Sequence, residues 1–274
     1  MEKFSLKAFS SATQEDSIKF GWKAVRQALL SKAGFRVPEG FLLCVKDWNS
    51  IGEAYTQAMA QFPEVMRGSA IMRSSAAGED GTLTYAGVFD SEVFDGCLPE
   101  SFERAAKKLL ASYASETARL YAERNAAASE ANLHLTALVQ RMLQPSCSGV
   151  AYSHDPVTGL AHGIIESTYG VNSLLTDGKI SPDYVQLDEH GEILTKRTGK
   201  KQRLVQAENG DLTERPATTA EAQAFSISDG QIRELWTAVW HIQAMTGTPQ
   251  DIDWAFEDGK LYILQNREVP VTIG

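Results

Sequence analysis

Apolar and polar residues alternate most clearly near the end of the chain, from Asp251 to Arg267. Two runs of β-forming residues flank Glu257-Asp258-Gly259-Lys260, and an Asp-Gly pair in that setting predicts a hairpin because glycine tolerates positive φ. A two-residue loop at Asp258-Gly259 would set Ile252 opposite Gln265 and Asp253 opposite Leu264, mixing polar and apolar side chains on both faces. A three-residue loop, Glu257-Asp258-Gly259 with the glycine left-handed, gathers Ile252, Trp254, Phe256, Tyr262 and Leu264 on one face. The other face then carries Asp251, Asp253, Gln265 and Arg267 at its far end, with Ala255, Leu261 and Ile263 nearer the turn. The three-residue loop is therefore the expected register.

Upstream, Ala24, Val25, Ala28, Leu29 and Leu30 recur at helical spacing after Lys23 and stop at Gly34. Phe41 to Val45 reads as a buried strand. Asp47 or Asn49 is placed to cap a helix that Pro63 ends. Ala70 to Arg73 is a short strand running into Ser74-Ser75-Ala76-Ala77-Gly78-Glu79-Asp80-Gly81, small residues too polar for a core. A further strand is expected from Val88 to Phe94, and a long surface helix from Pro99 to about Ala128. Leu135 to Leu143 and Gly149 to Ser153 read as neighbouring strands, and Gly163 to Ser167 as a third. Tyr184 to Leu187 and Ile193 to Thr195 flank a turn. The last helix runs from about Asp229 to Met245, with Ile232, Leu235, Trp236, Val239, Trp240 and Ile242 on one face.

A chain of 274 residues is long enough for one large domain or two lobes. Its net charge of -9 and pI near 5.1 leave no basic footprint for nucleic acid or a membrane surface. Cys44, Cys97 and Cys147 lack metal-ligand spacing, and their odd number suggests reduced thiols. No signal-like apolar core opens the chain and no run approaches membrane-spanning length, so a cytoplasmic protein is expected.

In so acidic a chain, Lys23, Arg73 and Arg267 stand out as cations beside turns or strand ends, suited together to an anion such as phosphate. The segment from Arg73 to Gly81 offers hydroxyls, backbone N–H groups and glycines of the kind a phosphate-covering loop needs. The Gln140-Arg141-Met142-Leu143 strand exit could present backbone groups to an adenine ring, with Met142 as an adaptable apolar contact. On the hairpin, two carboxylates and an amide supply oxygen ligands suited to Mg²⁺.

These segments occur in a familiar order: Met72-Arg73-Ser74-Ser75-Ala76 with Glu79-Asp80, Tyr85-Ala86-Gly87, Val139-Gln140-Arg141-Met142, Ser148-Gly149-Val150, Asp155-Pro156-Val157-Thr158-Gly159, Asp251-Ile252-Asp253-Trp254 and Leu264-Gln265-Asn266-Arg267. From about Gly21 onward the chain resembles the N-terminal ATP-binding domain of phosphoenolpyruvate synthase, pyruvate phosphate dikinase and rifampin phosphotransferase. The resemblance implies an α+β ATP-grasp fold, two α/β lobes over residues 1–142 and 143–274 with the nucleotide between them. It implies ATP and Mg²⁺ as ligands, with Lys23 and Arg73 on the phosphates. Ser74, Ser75 and Gly87 belong to the covering loop, and Gln140, Arg141, Met142 and Leu143 line the adenine site. Asp253 and Gln265 would bind Mg²⁺, with Arg267 beside the transferring group.

In relatives ATP phosphorylates a histidine on a separate swivelling domain. His134, His154, His162, His190 and His241 lie outside the family's phosphohistidine motif, which implies a phosphohistidine-domain partner or further C-terminal domains. Trp22 stands where the family has glycine, Asp253 where it has glutamate, and Asn172-Ser173 where it has Gly-Glu. Two alternatives therefore accompany a priming phosphotransferase: a degenerate nucleotide-binding or regulatory module, and a direct kinase of a small molecule.

Overall fold

A computed structural model of the chain describes residues 2–75, 91–113, 134–208 and 210–269. It has the mixed helix and sheet composition expected from the sequence and divides into two compact units. The first comprises residues 1–34, 38–142 and 208–211, the second 35–37, 143–207 and 212–274.

The first unit contains β1 (Phe4–Ala8), α1 (Ser17–Phe20), α2 (Trp22–Lys32), β2 (Gly40–Val45), α3 (Ile51–Gln61), α4 (Pro63–Met66), β3 (Ser69–Ser74), β4 (Ser91–Asp95), α5 (Pro99–Tyr113) and β5 (Leu135–Arg141). Its strands pair antiparallel in the order β1-β2-β5-β3-β4. The two-residue period of the strands sends Phe41, Leu43, Ala137, Val139, Ala70 and Met72 into one core, which also takes Phe94 and, from α5, Phe102 and Leu109. By alternation Leu42, Leu138, Gln140, Ile71 and Arg73 occupy the other face. There α1 and α2 contact the sheet, and α2 buries Ala24, Val25, Ala28 and Leu30 at helical spacing. The Asp47 carboxylate accepts from the Asn49 N–H at the turn leading into α3.

The second unit contains β6 (Cys147–Tyr152), β7 (Gly163–Tyr169), α6 (Ser173–Thr176), β8 (Asp183–Leu187), β9 (Ile193–Arg197), β10 (Arg203–Glu208), β11 (Asp211–Pro216), α7 (Thr219–Gln223), α8 (Asp229–Thr246), β12 (Gln250–Glu257) and β13 (Lys260–Glu268). Six strands form an antiparallel sheet in the order β13-β12-β6-β7-β8-β9. One face, carrying Ile252, Trp254, Phe256, Ala151, Ile165 and Val185, is fully or almost fully buried. The helix α8 turns Ile232, Leu235, Trp236, Val239 and Ile242 inward. The Trp236 ring lies where a Cβ on Gly163 would sit, 2.2 Å from it, so the strand must be bare at that position.

Several expectations change. Leu135–Arg141 and Cys147–Tyr152 are not neighbours: β5 pairs with β2 and β3, whereas β6 pairs with β7 and β12. The Gln144-Pro145 break separates the two strands, and each finds partners in its own unit. The edge strand β1 and the β10–β11 pair add strands the apolar pattern did not mark, because β1 is only half-buried and β11 is almost wholly exposed. The expected helix from Pro99 is described to Tyr113, and its remainder lies outside the described residues, as do Gly87 and the loop from Ala76 onward. The three cysteines are unpaired, and Cys44 and Cys147 are buried. Among the described residues no helix is long and apolar enough to cross a membrane.

Candidate functional site

In the first unit, the chain between α1 and α2 adopts φ +76 and ψ 157 at Gly21. That region of backbone space is essentially restricted to glycine. A Cβ there would lie 2.0 Å from the Ser75 carbonyl oxygen, so the glycine also permits the helix start to touch the end of β3. The Ser75 hydroxyl accepts from the Ala24 N–H at 2.9 Å and satisfies one of the open donors of the first turn. Lys23 stands in that same turn, half-buried, at the end of α2 where the backbone favours anions. Arg73 takes the face of β3 toward α1 and α2, and Ser74 and Ser75 follow it, fully buried. Lys23, Arg73, Ser74 and Ser75 are thus built onto adjoining elements of one unit.

At the strand exit several donors have partners within the unit. The Arg141 N–H donates to the Glu39 carbonyl and the Met142 N–H to the Ser69 carbonyl, each at 2.9 Å. The Gln140 amide, buried, donates to the Pro38 carbonyl at 3.1 Å, and the Arg141 guanidinium meets the Glu39 carboxylate at 2.9 Å. These donors close the first unit around Pro38-Glu39. Leu143 belongs to the second unit, where it packs with Ala255 and Tyr262, and Leu264 lies against them.

The hairpin corrects the predicted register and keeps its consequence. Glu257 pairs with Lys260 across a two-residue turn in which Asp258 and Gly259 both have positive φ, 50 and 71, as a type I′ turn requires. Trp254 pairs with Ile263, yet Asp253 pairs with Gln265 and Asp251 with Arg267, so Leu264 is an extra residue, a bulge. The turn sets one register, and the bulge shifts it so that Gln265 and Arg267 return to the face of Asp251 and Asp253. Near the turn, Tyr262 and Leu264 therefore leave the apolar face assigned to them, and Leu261 and Ile263 enter it. Beyond the bulge, Asp251, Asp253, Gln265 and Arg267 share one face as expected.

That face continues onto β6 and β7, where Tyr152 stands opposite Asp251, and Glu166 opposite Val150. The Arg267 guanidinium meets Asp251 at 3.0 Å. Burial pushes the Asp251 carboxyl up to about 6; Arg267 pulls it down and Asp253 adds to the rise. Burial also raises Glu166 and, with Asp251 and Glu166 adding to it, Tyr152. Burial is the first cause of each rise, so the ionised forms are disfavoured on this face.

Among the described residues, one carboxylate oxygen of Asp253 is buried without a hydrogen-bond partner. Buried polar atoms are otherwise almost always paired. With the Gln265 amide opposite it, this oxygen suits a hard dication ligated by oxygen. Among the described residues no group of three or more His, Cys, Asp or Glu is placed to hold a metal by itself.

Residues 45–273 match the family described as the pyruvate phosphate dikinase AMP/ATP-binding domain. The chain belongs to that family. A rifampicin phosphotransferase of a Streptomyces species is 30% identical over 224 residues, covering 81% of this chain and 25% of that protein. A probable phosphoenolpyruvate synthase of Archaeoglobus fulgidus is 30% identical over 139 residues, 50% of this chain and 18% of that one. The domain thus spans a quarter or less of the length of these relatives. A solved D-alanine-D-alanine ligase from Coxiella burnetii aligns over 94% of this chain and 50% of its own, with 9% identity and a TM-score of 0.45.

Sequence reasoning counted Asp251 among the hairpin oxygens suited to Mg²⁺, left it out of the metal pair that the resemblance implies, and passed over Tyr152 and Glu166. The signal for both was their alternation with buried strand neighbours. It becomes readable only once β6 and β7 are known to lie beside the hairpin.

Proposed function

We propose that the domain binds Mg-ATP and primes phosphoryl transfer from it to a histidine carried by another domain or partner. The observation that carries this reading is the hairpin end, where Asp253, Gln265 and Arg267 share a face and a buried Asp253 oxygen has no partner among the described residues. Asp253 and Gln265 hold Mg²⁺, which when bound neutralises charge on the phosphate oxygens. Arg267 donates its N–H groups to the transferring phosphoryl, and within the first unit Lys23 and Arg73 are cations suited to phosphate oxygens. The Ser75 hydroxyl, bound to the Ala24 N–H, stands at the first turn of α2, the turn that carries Lys23. The apolar cluster of Leu143, Ala255, Tyr262 and Leu264 adjoins the polar set on the hairpin and offers the base an apolar surface. In a loose phosphoryl-transfer transition state such positioning and charge neutralisation supply most of the catalysis.

Calorimetry tests the binding step. Mg-ATP should bind and raise the melting temperature, and Asp253→Ala should abolish the dependence on Mg²⁺. A wild-type protein that gives neither heat nor protection ends the reading. Formation of AMP on adding a histidine-domain protein tests the transfer step. A second reading, nucleotide binding without transfer, draws support from Asn172, whose amide donates to the Gly149 carbonyl at 3.5 Å where relatives have a Gly-Glu pair.

A further inference from the structure

We propose that Asp251 is a positioning residue, whose carboxylate holds the Arg267 guanidinium in the orientation in which it meets the transferring phosphoryl group. This rests on the nucleotide reading above. The two residues stand directly opposite each other on β12 and β13, and the guanidinium Nη2 lies 3.0 Å from the Asp251 carboxylate. Both side chains are mostly buried, 16% exposed for Asp251 and 27% for Arg267. The bulge at Leu264 brings them opposite: without it Arg267 would pair one position away and project from the other face.

Asp251 is poorly explained as a stabilising residue. Its second carboxylate oxygen is buried with no hydrogen-bond partner among the described residues, and Asp253 and Tyr152 flank it. An ion pair so incompletely satisfied is weak evidence of stability. Nor does it help to attract a triphosphate, since a negative charge behind Arg267 weakens the local positive potential. What it does supply is restraint. A free arginine side chain must be immobilised when it engages a phosphoryl group, and a guanidinium already held on one edge loses less freedom in doing so.

Electrostatic attraction and positioning predict opposite outcomes for Asp251→Asn, which retains size and one acceptor oxygen. Removing the charge should leave the Mg-ATP Kd unchanged or tighter. Losing the restraint should slow single-turnover AMP formation about 10- to 100-fold, the range typical when a group that orients a ligand is removed. In an Arg267→Ala background the substitution should have no further effect. NMR of the protein labelled at arginine gives a readout independent of nucleotide. Separate, slowly exchanging Nη–H signals, identified by their loss in Arg267→Lys, should be present in wild type and averaged in Asp251→Asn.

Unchanged turnover in Asp251→Asn, equal losses in affinity and rate, an undiminished effect without Arg267, or averaged Arg267 signals in wild type would each overturn the assignment. If wild type itself fails to bind Mg-ATP, the nucleotide reading falls first and this role falls with it.

Discussion

Asp183 offers the sharpest test of how the second unit is held together. Its carboxylate is fully buried and forms an ion pair with Lys201, itself 1% exposed. The same carboxylate accepts from the Gly199 N–H at 2.8 Å and from the Ser226 N–H and hydroxyl, each at 2.7 Å. One side chain therefore ties β8 to the segment at 199–201 and to the approach to α8. Asp183→Ala would leave a buried ammonium and the Gly199 and Ser226 N–H groups unmatched, while the Ser226 hydroxyl keeps the Ser167 hydroxyl as a partner. Breaking a buried pair from one side costs about 3–5 kcal/mol, which corresponds to a fall in Tm of about 6–20 °C for a unit of this size. Tryptophan fluorescence in a Trp22→Phe, Trp48→Phe background would report the second unit through Trp236, Trp240 and Trp254. Adding Lys201→Met should recover part of the loss, because the unpaired charge goes with it. An Asp183→Ala protein within about 0.5 kcal/mol of its parent, or a double variant weaker than the single one, would refute the account.

Gly21→Ala should destabilise the first unit by at least about 1–3 kcal/mol, the cost of that backbone region for a side chain, and hydrogen exchange at Ala24 should rise as the Ser75 contact opens; an unchanged melt would contradict the close approach. Deleting Leu264 removes the bulge, so Gln265 and Arg267 should exchange faces or the turn should shift; Mg-ATP protection is expected to vanish, and its survival would show that the bulge does not set the site. Glu221 is held down to about 2, first by its hydrogen bond to Arg215 and then by the Thr218 N–H. Because its folded value lies below the ordinary carboxylate value, its contribution is complete above about pH 4.5 and is lost as the pH falls toward 2. Glu221→Gln should therefore melt lower than wild type at neutral pH, by an amount of the order of 1 kcal/mol, with the gap closing in acid; a gap that is constant with pH would contradict this.

Short-range pattern was enough for much of this domain. The stripe of Ala24, Val25 and Ala28, the stripe of Ile232, Leu235 and Val239, the pair Asp251 and Asp253 on one strand and the pair Gln265 and Arg267 on the next all follow from side-chain periods of 3.6 and 2, which any segment carries within itself. The order of the motifs was likewise sufficient to anticipate the family.

Tertiary structure decided what depends on distant partners. The Asp258-Gly259 turn favoured two residues locally while the polar pattern farther along demanded another register, and only a bulge at Leu264 satisfies both. Nothing in the Leu135–Arg141 strand states that Pro38-Glu39 and Ser69 will take its terminal donors. Lys201, in a Gly-Lys-Lys run that reads as surface, is buried because Asp183 meets it there. Periodicity records which way a side chain points; its partner is set by pairings between remote segments, whose free energy no single stretch of sequence contains.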